Sequence, residues 1–255
     1  IVFGANRIAV FVTDLWWFEE RGYRDVFLTV LMTRYGIGAV FTLLLALFIG
    51  LNLSIARRTR PFVIPTTPQE AQVQRLRDTV DPYLPWVIAG VSFFFALTSG
   101  AAIGGQWETF LLFLNGQSVG IADPLFSQDL GFWLFEFPFW ALLQTWVFTS
   151  IVLTILLTAG AHYVLGGIRP VSPEKLTRQA RLHLTALIAL AVAVRAWGYW
   201  LERYELNYSP RGTVTGASFT DVNAELPALL LLIGVAVIAI VILFASLRRE
   251  ELLLP

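Results

Sequence analysis

Two histidines are the residues of this chain whose type and position could support cofactor chemistry. His162 and His183 are the only histidines, and each lies near one end of a long apolar segment. The topology predicted from the loop charges places both near the cytoplasmic ends of neighbouring spans, where two imidazoles could ligate a haem, a pigment or a metal. Paired ligands of this kind are usually buried inside a bundle, whereas isolated histidines near a membrane surface are common. We therefore predict no bound haem, pigment or other cofactor, and His162 and His183 are the candidates for such a site.

A single arginine within an apolar segment is the second feature that could have a function. Arg195 shares one helix face with Tyr199 and with Glu202, two turns further on. A charge inside a membrane indicates a function by default, such as a polar path for transport, but a purely structural ion pair or snorkelling to the surface is the interpretation we favour. We expect a direct pair with Glu202 to be less favourable than one through Tyr199 or with another helix. Arg34, near the start of another apolar segment, is a further polar candidate.

Acidic residues form the third group, and they concentrate in segments predicted to lie on the outer side. Hard cations prefer several oxygen ligands, so these carboxylates could form a cation site. The local sequence offers a different role, because Asp123-Pro124 is typical of a turn and Thr220-Asp221 of a helix cap. We therefore predict no metal site, with Asp123, Asp129 and Asp221 as its only candidates. The full set of outer acids is Asp14, Glu19, Glu20, Asp123, Asp129, Glu136, Asp221 and Glu225.

The composition identifies the setting of these residues as a membrane. Of the 255 residues, 56% are hydrophobic and only 14% are charged, whereas soluble domains carry about 25% charged residues. The formal net charge is zero and gives no basic field for nucleic acid. The absence of cysteine excludes disulfides and thiolate sites. The nucleophile-elbow, zinc-protease, P-loop and dinucleotide-binding motifs are all missing, so we predict that the chain is not an enzyme.

The apolar segments predict an all-α, polytopic transmembrane bundle of about six spans with interfacial helices. Aromatic and acidic residues in 105–137 indicate interfacial or re-entrant helices, and a proline-initiated surface helix is expected near 68–80. Gly100 and Gly104 form a GxxxG pattern that could let another helix approach closely. The predicted spans are 1–18 (partial), 35–54, 84–104, 138–163, 182–202 and 227–247, which together form one transmembrane domain over 1–255.

Basic residues set the predicted orientation of these spans. Loop 55–83 contains five Lys or Arg and loop 165–181 contains four, whereas loop 105–137 contains none. Because cytoplasmic loops are enriched in Lys and Arg, the loops 55–83 and 165–181 and the tail 248–255 are predicted to be cytoplasmic. Segments 19–34, 105–137 and 203–226 are then outside, although the three arginines of 19–34 argue against its placement.

Several blocks of sequence together resemble the bacterial membrane proteins of uncharacterised protein family UPF0182. The one departure we note is Glu202, where an aspartate is expected. The resemblance implies about seven N-terminal spans followed by a large extracytoplasmic domain, of which this chain would be the membrane part, lacking the start of its first helix. The blocks are DLWWFEERGYRDVFLTVLMTR (14–34), ARRTRP (56–61), DPLFSQDLGFWLFEFPF (123–139), ARLHL (180–184), YWLERYELNYSPRG (199–212) and GASFTDVNAELPALLLL (216–232).

The resemblance carries no activity and no catalytic residue, so function is argued from the chain itself. The expectation that fits best is a non-enzymatic membrane subunit, a scaffold or assembly partner that anchors an extracytoplasmic domain. The alternative is a transporter or channel that uses Arg195 and the outer acids. The expected location is the bacterial plasma membrane, or the thylakoid in a cyanobacterium. The expected partners are membrane lipids and other integral membrane proteins, with no nucleic acid.

Overall fold

The computed structural model describes residues 2–61, 75, 79, 81–169, 175–210 and 216–252. Within these residues the chain is all-α, with only two isolated β-bridges, Ala122 to Asp129 and Ile168 to Leu176. The predicted surface helix near 68–80 falls almost entirely outside the described residues. The helices are α1 (Val2–Glu20), α2 (Arg24–Arg58), α3 (Leu84–Gly104), α4 (Trp107–Leu114), α5 (Phe137–Val164), α6 (Arg178–Glu205) and α7 (Leu226–Leu252).

Five helical segments are long and apolar enough to cross a membrane by length and composition. They contain α2, α3, α5, α6 and α7, so the long apolar runs of the sequence form the expected bundle. Helix α1, expected to be part of a sixth span, is not among them. Its stretch of 19 residues contains Arg7 and Asp14 and ends in two glutamates, which lowers its apolarity.

Helix α2 is the centre of the packing, because it contacts α1, α3, α4 and α5. The largest contact is between α2 and α3. Helix α5 packs against α6, and α6 packs against α7. A buried cluster of Leu45, Ile49, Leu53 and Ala96 joins α2 to α3, and α5 adds Trp146, Leu153, Leu157 and Ala161 around it. Helices α2 and α3 run antiparallel, since Gly104 at the end of α3 approaches Arg34 near the start of α2.

Glycines bring α2 and α3 into backbone contact, which confirms the close approach that the GxxxG pattern predicted. A β-carbon on Gly100 would collide with the Thr42 hydroxyl and the Gly38 carbonyl. A β-carbon on Gly104 would lie 2.6 Å from the carbonyl of Arg34. Since interhelical packing in a membrane relies on close van der Waals contact, these two positions require glycine.

Two helices begin with a single π turn, and a proline explains each. Residues Phe132–Glu136 form a π turn before Pro138, and Asp221–Glu225 form another before Pro227. The N–H of Phe137 donates to the Phe132 carbonyl, and the N–H of Leu226 donates to the Asp221 carbonyl. A proline ring lacks an N–H and clashes with the carbonyl four residues earlier, so the preceding turn widens.

Hydrogen bonds define the two ends of the bundle. At one end, called the cap end, residues 115–137 lie against residues 203–210, which confirms that these segments share a side. At the other end, called the histidine end, α2, α5 and α6 meet at Asn52, His162 and His183. The cap end corresponds to the predicted outer side.

Candidate functional site

The cap end is built around an aromatic cluster that joins two segments far apart in sequence. Tyr204 lies 5.0 Å, centroid to centroid, from both Phe126 and Phe132, and it also contacts Trp133 and Phe137. Edge-to-face packing of this kind adds stability beyond burial, about 0.5–1.5 kcal/mol for each pair. The cluster therefore fixes the end of α6 against the π turn that begins α5.

Three hydrogen bonds fasten the same two segments. The Trp133 indole N–H donates to the Tyr204 carbonyl at 3.1 Å. The Tyr208 hydroxyl donates to the Trp133 carbonyl at 2.8 Å, and the Asn207 amide donates to the Asp123 carboxylate at 2.9 Å. These bonds and the aromatic cluster together are called the cap. A cap of this construction orders a surface at one end of the bundle.

Asp123 and Asp129 organise the loop that enters the cap. Asp123 accepts hydrogen bonds from the backbone N–H groups of Leu125 and Phe126, which confirms the predicted turn. Asp129 accepts from the backbone of Val119, Gly120 and Gly131 and from the Ser118 hydroxyl. The Val119 N–H, followed by the Ser118 hydroxyl and the Gly131 N–H, lowers the pKa of Asp129 from 3.8 to about 2.

Asp221 has a capping role, but not the one expected from Thr220-Asp221. The Ser218 hydroxyl accepts from the Asp221 N–H, and the buried Asp221 carboxylate accepts from the Ser218 N–H. This reciprocal pair is a capping box in which Ser218 is the cap residue. The three candidate acids thus shape separate local structures. No group of three His, Asp or Glu side chains that could hold a metal occurs among the described residues.

Arg195 pairs directly with Glu202, which corrects the expectation that a pair through Tyr199 or with another helix is more favourable. Its Nη1 donates to the Glu202 Oε1 at 2.6 Å, although the residues are two turns apart. Both side chains are long enough to close this gap along the helix face. The Arg195 guanidinium also lies 4.3 Å from the Tyr199 ring centroid, as a cation–π contact. Arg34 lies outside this pair, with an exposed side chain on α2.

Gln144 is a buried polar residue near Arg195 that sequence reasoning missed. Its amide donates across to α6, to the Val194 carbonyl at 3.2 Å. Gly198 makes room for it, because a β-carbon there would lie 2.6 Å from the Gln144 Nε2. A glutamine inside an apolar segment was the available signal, since a buried amide needs a partner.

The two histidines are neighbours, as the topology predicted, and they form a hydrogen-bonded chain with Asn52. His162 Nε2 and His183 Nδ1 lie 3.1 Å apart, and His183 Nε2 lies 2.9 Å from the Asn52 Oδ1. The Asn52 amide nitrogen donates to the Phe48 carbonyl, which fixes its oxygen towards His183. Because an amide oxygen only accepts, a neutral His183 carries its proton on Nε2, and its Nδ1 accepts a hydrogen bond from the His162 Nε2–H.

The hydrogen bonds of His162 and His183 determine which ring nitrogens are free to ligate a cofactor. Nε2 of His162 and both ring nitrogens of His183 are engaged, so ligation of a haem or metal through those atoms would require these bonds to break. His162 is 1% exposed and is closed over by Gly167, whose β-carbon would lie 2.8 Å from the His162 Nδ1. Asn52 was missed in the sequence, because one asparagine at a helix end gives no distinctive pattern.

Two cavities lie near these features. A cleft of about 460 Å³ opens between α3 and α5 and is lined by Ser99, Thr149 and Ser150 together with aromatic and aliphatic side chains. Its wall is held by the Trp146 indole N–H, which donates to the Ser99 hydroxyl at 2.8 Å. A second cavity of about 590 Å³ lies at the cap, beside Trp133 and Tyr208. Arg195 lines neither cavity.

Comparison with known proteins identifies the family. Residues 1–255 match the family described as "Uncharacterised protein family (UPF0182)". The chain is similar to the UPF0182 protein of Frankia casuarinae, with 34% identity over 100% of this chain and 25% of the relative. It is 39% identical to a UPF0182 protein of Mycolicibacterium paratuberculosis, over 99% of this chain and 26% of that protein.

A UPF0182 protein of Streptomyces coelicolor is similar too, with 36% identity over 98% of this chain and 26% of the relative. The chain thus spans about a quarter of the length of these curated relatives. No solved structure matches it. The family match over the whole chain confirms the resemblance noted from the sequence blocks, and the chain belongs to uncharacterised protein family UPF0182.

Proposed function

We propose that this chain is a non-enzymatic membrane subunit whose cap end forms a platform that anchors an extracytoplasmic part and binds other integral membrane proteins. The observation that carries the proposal is the cap itself. Three hydrogen bonds and an aromatic cluster hold 115–137 against 203–210. When a partner binds to a surface that is already ordered, less conformational entropy is lost.

Exposed apolar side chains at the cap end support a binding role. Phe219 is 83% exposed, Leu114 is 73% exposed and Ile121 is 58% exposed. Large apolar side chains in a segment rich in polar and acidic residues indicate contact with protein or with the headgroup region of the lipid. The platform is therefore a surface that another part of the assembly covers.

The length of the relatives supports the anchoring role. The chain spans about a quarter of them, so these relatives contain much more than the region that matches this bundle. Five helices with the length and apolarity of spans provide the anchor. Under this proposal the bundle lies in the bacterial plasma membrane, with the basic loops 55–83 and 165–181 in the cytoplasm.

The alternative, a transporter or channel that uses Arg195 and the outer acids, is less well supported by the contacts. Arg195 is engaged by Glu202 and Tyr199 within its own helix. Asp123 and Asp129 bind backbone N–H groups in their own loop. Groups occupied in this way support a structural role better than a path for ions.

Site-specific photocrosslinking in the full-length protein tests the platform. A photoreactive phenylalanine analogue at Phe219 is expected to crosslink to protein, either the remainder of the chain or a partner. The same analogue at Leu156, which is 66% exposed on α5, is the matched control and is expected to crosslink to lipid. If position 219 gives only lipid adducts in native membranes, the platform proposal is wrong.

A further inference from the structure

The cleft between α3 and α5 lies in the half of the bundle nearer the cap end. Both helices pack against α2, and Leu45 of α2 lines the space between them. Towards the histidine end, Val91 of α3 and Leu157 of α5 pack around the buried cluster that joins α2 to α3, and neither residue lines the cleft. The cleft is therefore open only over the half of each helix that is next to the segment 105–137.

The length of the cleft corresponds to one leaflet of a bilayer. Its lining residues on α5 run from Leu142 to Leu153, and eleven steps of about 1.5 Å give about 16 Å. Half of a hydrocarbon core about 30 Å thick is about 15 Å. A spanning helix is about 10 Å wide and crosses the full thickness, so it would extend past the closed end. An occupant confined to one leaflet fits the cleft better.

The lining of the cleft can contact a hydrocarbon chain. The Ser99 hydroxyl accepts from the Trp146 indole N–H, and the Thr98 hydroxyl donates to carbonyls of its own helix. The hydroxyls that line the cleft from α5 can bond in the same way to the carbonyl one turn earlier. The volume of about 460 Å³ lies within the range of about 300–1,000 Å³ for ligand sites. The apolar lining residues are Leu45, Phe95, Ala102, Ile103, Leu142, Trp146 and Leu153.

Arg34 lies level with the mouth of the cleft at the cap end. The glycine that ends α3 packs against the Arg34 carbonyl, and Gln106, two residues beyond that glycine, lines the cleft. Arg34 precedes Leu45 by eleven residues, which is close to three full turns, so the two share one face of α2. Between them on this face, the Phe41 ring lies 4.7 Å from the Trp146 ring, which lines the cleft.

The charge of Arg34 is available to a ligand. Arg34 belongs to no ion pair among the described residues, and its side chain is exposed. A guanidinium is always charged and binds two phosphate oxygens at once. Gln106 at the mouth is also exposed, and its amide can donate to the same group. In a phospholipid the phosphate lies directly beyond the hydrocarbon, so the cation and the cleft match two parts of one molecule.

We propose that the cleft and Arg34 form a binding site for one phospholipid from the leaflet at the cap end. An acyl chain lies in the cleft, and the phosphate binds the Arg34 guanidinium and the Gln106 amide. The bound lipid fills the gap between α3 and α5 and so stabilises their arrangement on α2. The site is separate from the cap, and the proposal does not depend on a protein partner there.

Lipid retention by cleft variants tests the acyl-chain part of the site. Full-length protein is purified from native membranes in mild detergent, and bound phospholipid is counted by phosphorus content and mass spectrometry. We expect the wild type to retain phospholipid and Ala102→Trp to lose it, because the indole would fill the cleft. Ala101→Trp, at an exposed neighbouring position that does not line the cleft, is the matched control and should retain it.

Two results of the retention measurement would contradict the site. Equal phospholipid contents of Ala102→Trp and Ala101→Trp would mean that the protein retains only the general lipid annulus. A membrane protein that is bound in a fixed ratio and is lost from Ala102→Trp would mean that a helix, not a lipid, occupies the cleft.

Thermal unfolding with added lipid tests the phosphate part of the site. Delipidated full-length protein is titrated with phosphatidylglycerol in detergent, and unfolding is followed by tryptophan fluorescence. A ligand that binds the folded state raises Tm, so Tm should rise with lipid. Diacylglycerol with the same chains should raise it less. Arg34→Gln should need about tenfold more phosphatidylglycerol for the same rise, because a charge-assisted hydrogen bond is lost.

Arg24→Gln supplies the matched control for the titration. It removes an exposed arginine from the first turn of the same helix, about 15 Å from Arg34 along the axis, and should respond like the wild type. Arg34 is exposed, so Arg34→Gln should fold and keeps the test informative if Ala102→Trp does not. Equal responses of Arg34→Gln and wild type, or equal effects of phosphatidylglycerol and diacylglycerol on the wild type, would overturn the proposal.

Discussion

The partners that satisfy the charge of Arg195 lie on its own helix. Its charge is balanced by Glu202 at 2.6 Å, and its guanidinium lies over the Tyr199 ring. The two partners of the ion pair are 40% and 30% exposed. Solvent screening at this exposure keeps the contribution of the pair to stability small.

A double-mutant cycle measures the Arg195–Glu202 pair. We expect Arg195→Leu and Glu202→Leu to show a coupling energy of about 0.2–1 kcal/mol in the free energy of unfolding. Denaturant titration of the full-length protein in detergent provides the measurement. Glu19→Leu, which removes an exposed acid on α1, should show no coupling to Arg195→Leu. A coupling above about 3 kcal/mol would indicate a buried pair instead.

The stability of the loop 115–131 depends on pH through Asp129, and the pKa of Asp129 gives the direction of this dependence. The carboxyl has a pKa of about 2 in the folded chain, below the ordinary value of 3.8. Its contribution to stability is therefore fully present above pH 3.8 and is lost as the pH falls through about 2. We expect cleavage of this loop by an acid protease to accelerate across that window.

Asp129→Asn provides the comparison for this measurement. It removes the charge at every pH, so the variant loop should be cleaved rapidly already at pH 4 and should show little further change. Asp14→Asn, at an exposed position on α1, should behave like the wild type. Equal cleavage rates for Asp129→Asn and wild type at pH 4 would contradict the role assigned to this carboxylate.

The residue contacts could be predicted from the sequence only in part. The proximity of His162 and His183 followed from topology, because loop charges place both at one end. Asn52 and Gln144 were missed, since each is a single amide with no repeating pattern. The buried hydroxyls of Thr154 and Thr158 were missed for a related reason, because an uncharged hydroxyl in an apolar segment resembles a packing residue.

At the scale of elements, the contact between α2 and α3 depends on two glycines with no space for a side chain. We expect Gly100→Ala to destabilise the protein by about 1–3 kcal/mol, because the added methyl group meets the Thr42 hydroxyl and the Gly38 backbone. Gly90→Ala on the same helix meets nothing within 4 Å and should be neutral or stabilising. Thermal unfolding of both variants measures this difference in stability, and equal effects would contradict the assigned packing.

The elements themselves were largely predictable, but their ends were not. Long apolar runs define α2, α3, α5, α6 and α7 because only a helix satisfies its own backbone in an apolar medium. The π turns before Pro138 and Pro227 were not foreseen, since the sequence shows the proline but not how the chain relaxes around it. The helix cap is Ser218, two residues before the expected Thr220, and the sequence alone does not show this difference.

At the scale of the whole molecule, the bundle has two ends with different constructions. The cap end is aromatic and hydrogen-bonded between distant segments, whereas the histidine end joins three helices through a chain of polar side chains. The family match spans residues 1–255 and so includes both sides of the cap. The contacts between distant segments at the cap end favour a module that presents one ordered surface.

Co-purification tests the central claim that the cap is a binding platform. Full-length protein is isolated from its native membranes as wild type and as the triple variant Trp133→Phe, Asn207→Ala and Tyr208→Phe, which removes all three hydrogen bonds of the cap. We expect the wild type to retain other integral membrane proteins in a defined ratio, and the variant to lose them while it is recovered in similar yield. If the wild type purifies alone, or if the folded variant keeps the same partners, the platform account is contradicted.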